Sequence, residues 1–448
     1  MRTAAFISPA RAVAAATVAY AGIFFVLGAD RYRTFHSGAD LGLFAQTISS
    51  AFQGFHNTLE STSHFAYHFS PILYLCAPAL WLTHSALALV FIQAVATALI
   101  APALYAIARK RTSDGWAAAL ACIALLYPPL QGVTFTDFHE TAFVPAAVAW
   151  LLWAVDARRF GIATLLLLVV LSIKEDQAPA MAFLGAVGCA YFVRRGERAG
   201  LVFCVAAIAA AGAVFAGYFA IVRPLAGAAR GWVPIHFYAW SEYARAAPLP
   251  VQFAGRATYL LEAFVPLALI PLRSPVVLLA LPGFLEVLAS REPLTYTMGQ
   301  HYAAAWVPYV LVAFAICGAR MLEERPLAGR RWIRASALIC ALTLAFFSPL
   351  HLGHFLRWPD ARDAATNAAI ARIPQSASVG SYDEIYAHLG FFPQASIGLR
   401  LHPRYVVYDD RYVSATWTQR IFPKVRRAVT DGTYRVISDR DGIVLLER

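Results

Sequence analysis

Connectors of two kinds alternate along this chain. About eleven apolar stretches are separated by these connectors, and some of them, such as 85–108, 201–222 and 302–318, reach or approach the roughly twenty residues that a helix needs to cross a bilayer. Short connectors rich in arginine, such as Arg109-Lys110-Arg111, Arg158-Arg159, Arg194-Arg195 and the run 320–334, largely alternate with connectors carrying Asp, Glu and His. Under the positive-inside rule the arginine-rich connectors face the cytoplasm and the others face outward. That sorting brings Asp40, His68, Asp137, His139, Glu140, Lys174, Glu175, Asp176, Glu292 and His301 to one membrane face, which becomes the candidate active site.

Hydrophobic residues make up 59% of the 448 and charged residues only 14%, too apolar for a soluble domain of this length. The sequence therefore predicts an α-helical polytopic membrane protein of the inner (plasma) membrane, with its N-terminus in the cytoplasm. A formal charge of +11 invites a nucleic-acid reading, but much of the surplus is arginine in short connectors, where it sets topology, so no nucleic-acid partner is expected. All six cysteines fall inside apolar stretches without paired spacing, which argues against a disulfide framework or a cysteine zinc site.

Arg2 and Arg11 precede an apolar segment at 12–27 that reads as a retained signal anchor. Region 28–84 is then external and holds two interfacial helices, an amphipathic one at 41–52 and a short apolar one at 71–82. Further crossings are expected at 85–108, 116–133, 141–155, 162–173, 178–193, 201–222, 259–272, 276–288, 302–318 and 332–350, with a second external loop at 223–256. Arg31, Arg33, Arg223 and Arg230 fall outside against the rule, in long loops where the bias is weaker. Residues 1–350 are thus a transmembrane domain. From 351 to 448 the composition turns to mixed polar sequence, with short β runs at 378–382, 405–408, 434–438 and 443–446, helical runs at 384–389 and 414–430, and a hairpin turn at Asp439-Arg440-Asp441-Gly442. This predicts a small external α/β domain.

The polar residues carry the chemistry. Asp40 opens an amphipathic stretch, where it is either a helix N-cap or a general base that deprotonates an acceptor hydroxyl. His64 and His68 are four residues apart, a spacing that suits a metal if the segment is helical. Asp137, His139 and Glu140 form a carboxylate and histidine cluster at a helix junction; with Asp40 they could hold a divalent cation, the one cofactor considered. Asp137 and Glu140 would share a face if a helix begins by Asp137. Lys174-Glu175-Asp176 lies between apolar flanks, where charges need partners or water, and its lysine could neutralise a phosphate. Glu286 is the lone acid of its apolar stretch, and His301 borders the next external loop.

The stretches D-L-G-L-F-A-Q at Asp40, H-F-S-P-I-L at His68, D-F-H-E at Asp137, K-E-D at Lys174, Q-H-Y at Gln300 and the closing D-G-I-V-L-L-E-R resemble a membrane family catalogued as domain of unknown function 2079. More distantly, that family is similar to the GT-C superfamily of glycosyltransferases. The resemblance implies a GT-C-like fold and transfer of a sugar from a polyprenyl-phosphate donor to an external acceptor. It places the catalytic acid in the first external loop, where Asp40 stands. GT-C enzymes often carry a second acid beside the first; Gly38, Ala39 and Leu41 flank Asp40, so Asp137 or Glu140 would have to fold against it. His68, His139, Lys174, Glu175, Asp176, Glu286 and His301 are then substrate-binding candidates. A lipid-substrate flippase or a non-catalytic envelope scaffold are the alternatives.

Overall fold

The first helix starts where the sequence supplies a cap. Ser8 accepts a hydrogen bond from the Arg11 N–H, Pro9 occupies the first turn, and α1 runs Pro9–Arg33. The structure is a computed structural model that describes residues 8–228, 232–239, 248–414 and 416–448; Arg2, Arg230 and part of the expected loop 223–256 lie outside the described residues. Among the described residues, Pro9–Arg33, Leu87–Ala108 and Arg198–Leu225 are long and apolar enough to cross a membrane.

The expected amphipathic helix is α2 (Ala39–Ser49), and a two-stranded hairpin follows it, β1 (His56–Asn57) with β2 (Thr62–Ser63). The apolar unit at 71–82 is a 3-10 turn followed by the short α3 (Ala77–Thr83). Helices α4 (Leu87–Ala98) and α5 (Ile100–Ala108) form the second span. α6 (Asp114–Leu125) and α7 (Pro128–Phe135) also qualify as a span, but bent by 52°, because Pro128-Pro129 cannot continue the hydrogen-bond ladder. Then come α8 (Val144–Asp156), α9 (Phe160–Leu171), α10 (Gln177–Arg195) and α11 (Arg198–Gly217), which continues through a π turn into α12 (Arg223–Leu225).

Two expectations shift here. α13 (Leu249–Phe264) starts inside the expected loop 223–256. The crossing expected at 259–272 breaks after Phe264 into the 3-10 turns Val265–Leu267 and Ile270–Arg273, with Pro266 and Pro271 as their second residues and Ala268 and Leu269 in the left-handed region (φ 50° and 58°). α14 (Leu281–Ala289), α15 (Val307–Glu324) and α16 (Pro326–Phe346) complete the helical body, with α15 buried along most of its length. Length and apolarity establish three spans, or four with the bent pair; the remaining expected crossings are shorter, broken or more polar, so the count of eleven stays an expectation.

Leu352, Phe355 and Leu356, around α17 (Leu352–Phe355), still pack against the helical body, while a separate apolar core begins at Ala365. α18 (Ala361–Ala371), absent from the sequence reading, starts on a capping box in which Asp360 and Asp363 satisfy each other's backbone N–H. It packs on a five-stranded sheet of β3 (Val379–Ser381), β4 (Ala395–Ile397), β5 (Tyr405–Asp409), β6 (Arg435–Arg440) and β7 (Ile443–Glu447) in the order β4-β3-β5-β7-β6. β3 pairs in parallel with β4 and β5; β7 pairs antiparallel with β5 and β6. The expected hairpin turn forms at Asp441-Gly442, both with positive φ (56° and 79°), which suits a two-residue type I′ turn. The expected helix at 384–389 is the short α19 (Asp383–Tyr386), and the one at 414–430 is a π turn followed by α20 (Phe422–Thr430).

This sheet domain grips α2. Gln46, 4% exposed, donates to the Phe392 carbonyl at 2.9 Å, while its own amide oxygen accepts from the Thr58 N–H at 2.8 Å and the Tyr386 hydroxyl at 3.1 Å. The backbones approach so closely that a Cβ on Gly42 would lie 2.5 Å from the Tyr386 carbonyl oxygen, and one on Gly390 2.5 Å from the Ala45 methyl. Glycine is required at both positions by contact.

Candidate active site

A cavity of about 280 Å3 opens between α2, the hairpin loop, the 136–143 and 172–176 connectors, α14 and the segment before α15. Every candidate site residue except Asp137 and Glu292 lines it. The connectors that carry these residues are far apart in sequence and meet only in the fold.

Asp40 sits in the first turn of α2, but the N-cap is Gly38, so the capping role considered from sequence falls to another residue. Its side chain, 54% exposed, opens into the cavity, and its Oδ2 lies 3.4 Å from His139 Nε2. His139 Nδ1 is 3.0 Å from the Asp137 carbonyl oxygen, an acceptor only, so Nδ1 carries a hydrogen. The Nε2 lone pair of a neutral His139 would then face the lone pairs of an ionised Asp40. A proton between the two removes that conflict, and the pair is set up to share one. Around Asp40 the protein walls displace bulk water, and this burial raises its carboxyl pKa, against the opposing pull of His139.

Asp137 lies outside the cavity. Its Oδ2 accepts from the Gly38 N–H at 2.9 Å and from Arg31 Nη2 at 3.2 Å, which ties the start of α2 to the end of α1. Arg31, an exception to the positive-inside rule in the sequence, is 8% exposed; it also donates to the Phe135 carbonyl at 2.8 Å and lies over the Phe355 ring. Residues 136–139 are not helical, and a 3-10 turn begins only at Glu140, so Asp137 and Glu140 do not share a helix face as expected. Glu140 is 2% exposed, and its Oε2 has no hydrogen-bond partner. Gln93 of α4 holds this connector in place, accepting from the His139 N–H at 3.0 Å and donating to the Thr136 carbonyl at 2.6 Å.

The other wall is a series of acid–base pairs. His68 Nδ1 meets Glu175 Oε1 at 2.7 Å, and the Phe69 N–H donates to the same carboxylate at 2.8 Å. Burial would raise the Glu175 carboxyl, but His68, Lys174 and that N–H outweigh it and bring it down to about 2. Glu60, which sequence reasoning missed, pairs with His64 at 3.0 Å; burial works against both charges, yet their contact lowers the acid and raises the histidine. The spacing Glu60-Ser61-Thr62-Ser63-His64 was the available signal. Lys174 Nζ lies 3.1 Å from Asp176 Oδ2. His301 stacks on His139 with ring centroids 3.5 Å apart. Two further polar atoms of the lining, His64 Nε2 and His301 Nδ1, are buried without a hydrogen-bond partner.

His64 and His68 each pair with a carboxylate, their rings 5.7 Å apart. Among the described residues no three His, Cys, Asp or Glu side chains come together to hold a metal ion. Of the four metal candidates, Asp137 is engaged elsewhere, and Asp40, His139 and Glu140 do not form such a group.

The fold is that of the GT-C glycosyltransferases. The crystal structure of ArnT from Cupriavidus metallidurans bound to undecaprenyl phosphate matches with a TM-score of 0.56 at 13% identity, and the apo state with 0.58 at 12%; each match covers 97% of both chains. The archaeal oligosaccharyltransferase AglB from Archaeoglobus fulgidus, in complex with an inhibitory peptide and a dolichol-phosphate, aligns over 90% of this chain and 70% of its own with a TM-score of 0.42 and 12% identity. No curated protein matches the sequence. The model of the DUF2079 family, described as a predicted membrane protein, matches residues 31–445, and the chain belongs to that family.

Proposed function

We propose that the cavity transfers a sugar from a polyprenyl-phosphate donor to an acceptor outside the cytoplasm. The observation that carries this reading is the space beside it. An apolar groove of about 570 Å3 between α10, α11 and α14 shares Glu175, Asp176, Trp232, Tyr238 and Glu286 with the cavity. On its walls Phe215 is 42% exposed and Leu285 65% exposed. A polar acid–base chamber that continues into an apolar groove on the helical body suits a substrate with a polar head and a hydrocarbon chain. The fold shared with ArnT, one of whose structures holds undecaprenyl phosphate, supports the same substrate class.

In the proposed step an acceptor hydroxyl oxygen attacks the anomeric carbon while the bond from that carbon to the phosphate oxygen breaks. Its proton passes to the pair of Asp40 and His139, and the leaving group departs as polyprenyl phosphate. Lys174, the one permanent cation among the described lining residues, receives the developing phosphate charge, and Asp176 keeps its ammonium ionised and oriented. Glu140 and His301, with unpaired polar atoms in the lining, position the acceptor sugar or hydroxyl. The bacterial inner membrane, with this cavity outward, is the matching location.

The test is a reconstituted full chain in vesicles supplied with a panel of polyprenyl-phosphate sugars, reading release of polyprenyl phosphate, with and without chelator to ask whether a divalent ion enters with the donor. Asp40→Asn is expected to abolish transfer with expression and thermal unfolding unchanged. Full turnover in that variant would sink the assignment. A flippase would move the intact lipid without cleaving it and would tolerate the substitution.

A further inference from the structure

The opposite end of the helical body holds a second space that the proposed reaction does not use. It measures about 330 Å3 and lies between α5, α8, α10, α11, α15 and the 3-10 turn Pro275–Ala280. Its walls are mostly apolar, with Leu152, Val276 and Ile316 inside, while Val187 and Tyr191 on the α10 wall are 41% and 44% exposed, so the groove opens onto the flank of the body.

Arginine crowds one end of this groove. Arg111, Arg158 and Arg320 line it, with Asp156 as the one acid among its lining residues. Asp156 is met twice, by Lys110 Nζ at 2.9 Å and by Arg111 Nη1 at 3.1 Å, and Arg158 pairs with Glu197 through Nη2 at 2.9 Å. Among the described residues, Lys110, Arg111 and Arg158 pair with Asp156 and Glu197, and Arg320 lies within 4 Å of no carboxylate. The excess positive charge sits where the apolar groove meets the arginine-rich connectors. Basic pockets between membrane helices at this level complement lipid phosphates, and the planar guanidinium matches phosphate oxygens in pairs.

We propose that this groove binds one anionic glycerophospholipid, with its phosphate at Arg158 and Arg320 and an acyl chain along Val187, Val276 and Ile316. The site is separate from the acid-lined cavity, and the proposal stands whether or not that cavity transfers sugars.

Native mass spectrometry of the full chain in detergent tests it, with titrations of phosphatidylglycerol and of phosphatidylcholine carrying the same acyl chains. The expected result is one retained phosphatidylglycerol, preferred over phosphatidylcholine by about fivefold for each guanidinium engaged. Arg158→Gln with Arg320→Gln removes the preference, and Arg158→Lys with Arg320→Lys keeps most of it. Arg158→Gln leaves Glu197 with only Arg195, at 4.0 Å, so Arg320→Gln alone is measured too and loses about fivefold. Val187→Trp fills the groove without touching a charge and lowers retention of both lipids. Equal retention of the two lipids by the wild type overturns the proposal. So does a preference that climbs past one lipid without saturating, or one that Arg320→Gln and Val187→Trp leave intact.

Discussion

The two ends of the helical body hold charge in opposite ways. At the arginine-rich end the pairs join neighbouring turns or adjacent connectors and stay wet; Arg109 and Asp114, both side chains 51% exposed, lie 3.5 Å apart. At the cavity end two of them join segments 106 and 107 residues apart, Arg31 with Asp137 and His68 with Glu175, while Glu60 with His64 and Lys174 with Asp176 are local; the buried partner is nearly sealed, with the Glu175 side chain 2% exposed. Exposed pairs gain little, because water screens them and two long side chains lose freedom. A buried pair fixes geometry, because removing one partner strands a charge away from water. The same alternation of connectors therefore signals topology at one end and chemistry at the other.

The largest expected effect is at Asp40. Asp40→Asn should lower kcat by about 10^3-fold, in the range that general-base catalysis supplies, with thermal unfolding unchanged. The ionised form is the base, and burial raises the Asp40 carboxyl with His139 opposing, so the pH profile has a sign. Activity rises with pH along a limb above the ordinary aspartate range near about 3.9, and that limb vanishes in Asp40→Asn. A wild-type limb at or below about 4 would remove Asp40 from the proton transfer.

Next comes the tie behind the cavity. Arg31→Ala leaves the Asp137 carboxylate, 13% exposed, with the Gly38 N–H and no guanidinium, and should cost about 3 kcal/mol of stability. Because Asp137 holds the start of α2, transfer should fall as well, and Arg31→Ala with Asp137→Asn should recover part of the stability. Thermal unfolding in detergent checks this; a single variant as stable as the wild type would place the pair with the wet ones at the other end.

A smaller effect is expected where the sheet domain grips α2. Gln46→Ala strips partners from the Phe392 carbonyl, the Thr58 N–H and the Tyr386 hydroxyl, and should cost about 2 kcal/mol. Asp40 lies on the same helix about 1.7 turns away, so kcat should fall while KM for the donor holds, since Gln46 does not touch the cavity. A rise in KM alone would mean that the domain contributes to donor binding rather than to placing the base.

Much of this arrangement was legible in the sequence. Apolar runs located most of the helices, and the alternation of connectors gathered all of the candidate residues but Asp137 and Glu292 at a single cavity. Asp137 escaped because a carboxylate in an acid–histidine cluster reads as chemistry, and only the fold shows Arg31 reaching it from α1. Arg31 itself looked like an exception to a topology rule, since sequence cannot distinguish a buried guanidinium from a solvated one. The helix at Ala361–Ala371 was recoverable, because Asp360 and Asp363 spell a capping box ahead of an alanine-rich run. β4 was not, for three residues carry no periodicity. The broken crossing after Phe264 follows from Pro266 and Pro271, which apolarity alone passes over.

The smallest effect should come from the arginine-rich end, and it is the control for the others. Arg109 and Asp114 approach to 3.5 Å with about half of each side chain in solvent, and the Arg109 guanidinium also lies over the Tyr105 ring at 5.4 Å. An exposed ion pair and an exposed cation–π contact are each worth at most about 1 kcal/mol and are partly redundant, since the side chain has one position for both. Arg109→Ala should therefore shift stability by no more than about 0.5 kcal/mol, and raising the salt concentration should erase even that. Transfer activity in vesicles should not move, because neither Arg109 nor its partners Asp114 and Tyr105 line the acid-lined cavity. A loss of activity in Arg109→Ala, with insertion and orientation intact by protease accessibility of the C-terminal domain, would show that the two ends are coupled and that the division between topology and chemistry is too sharp.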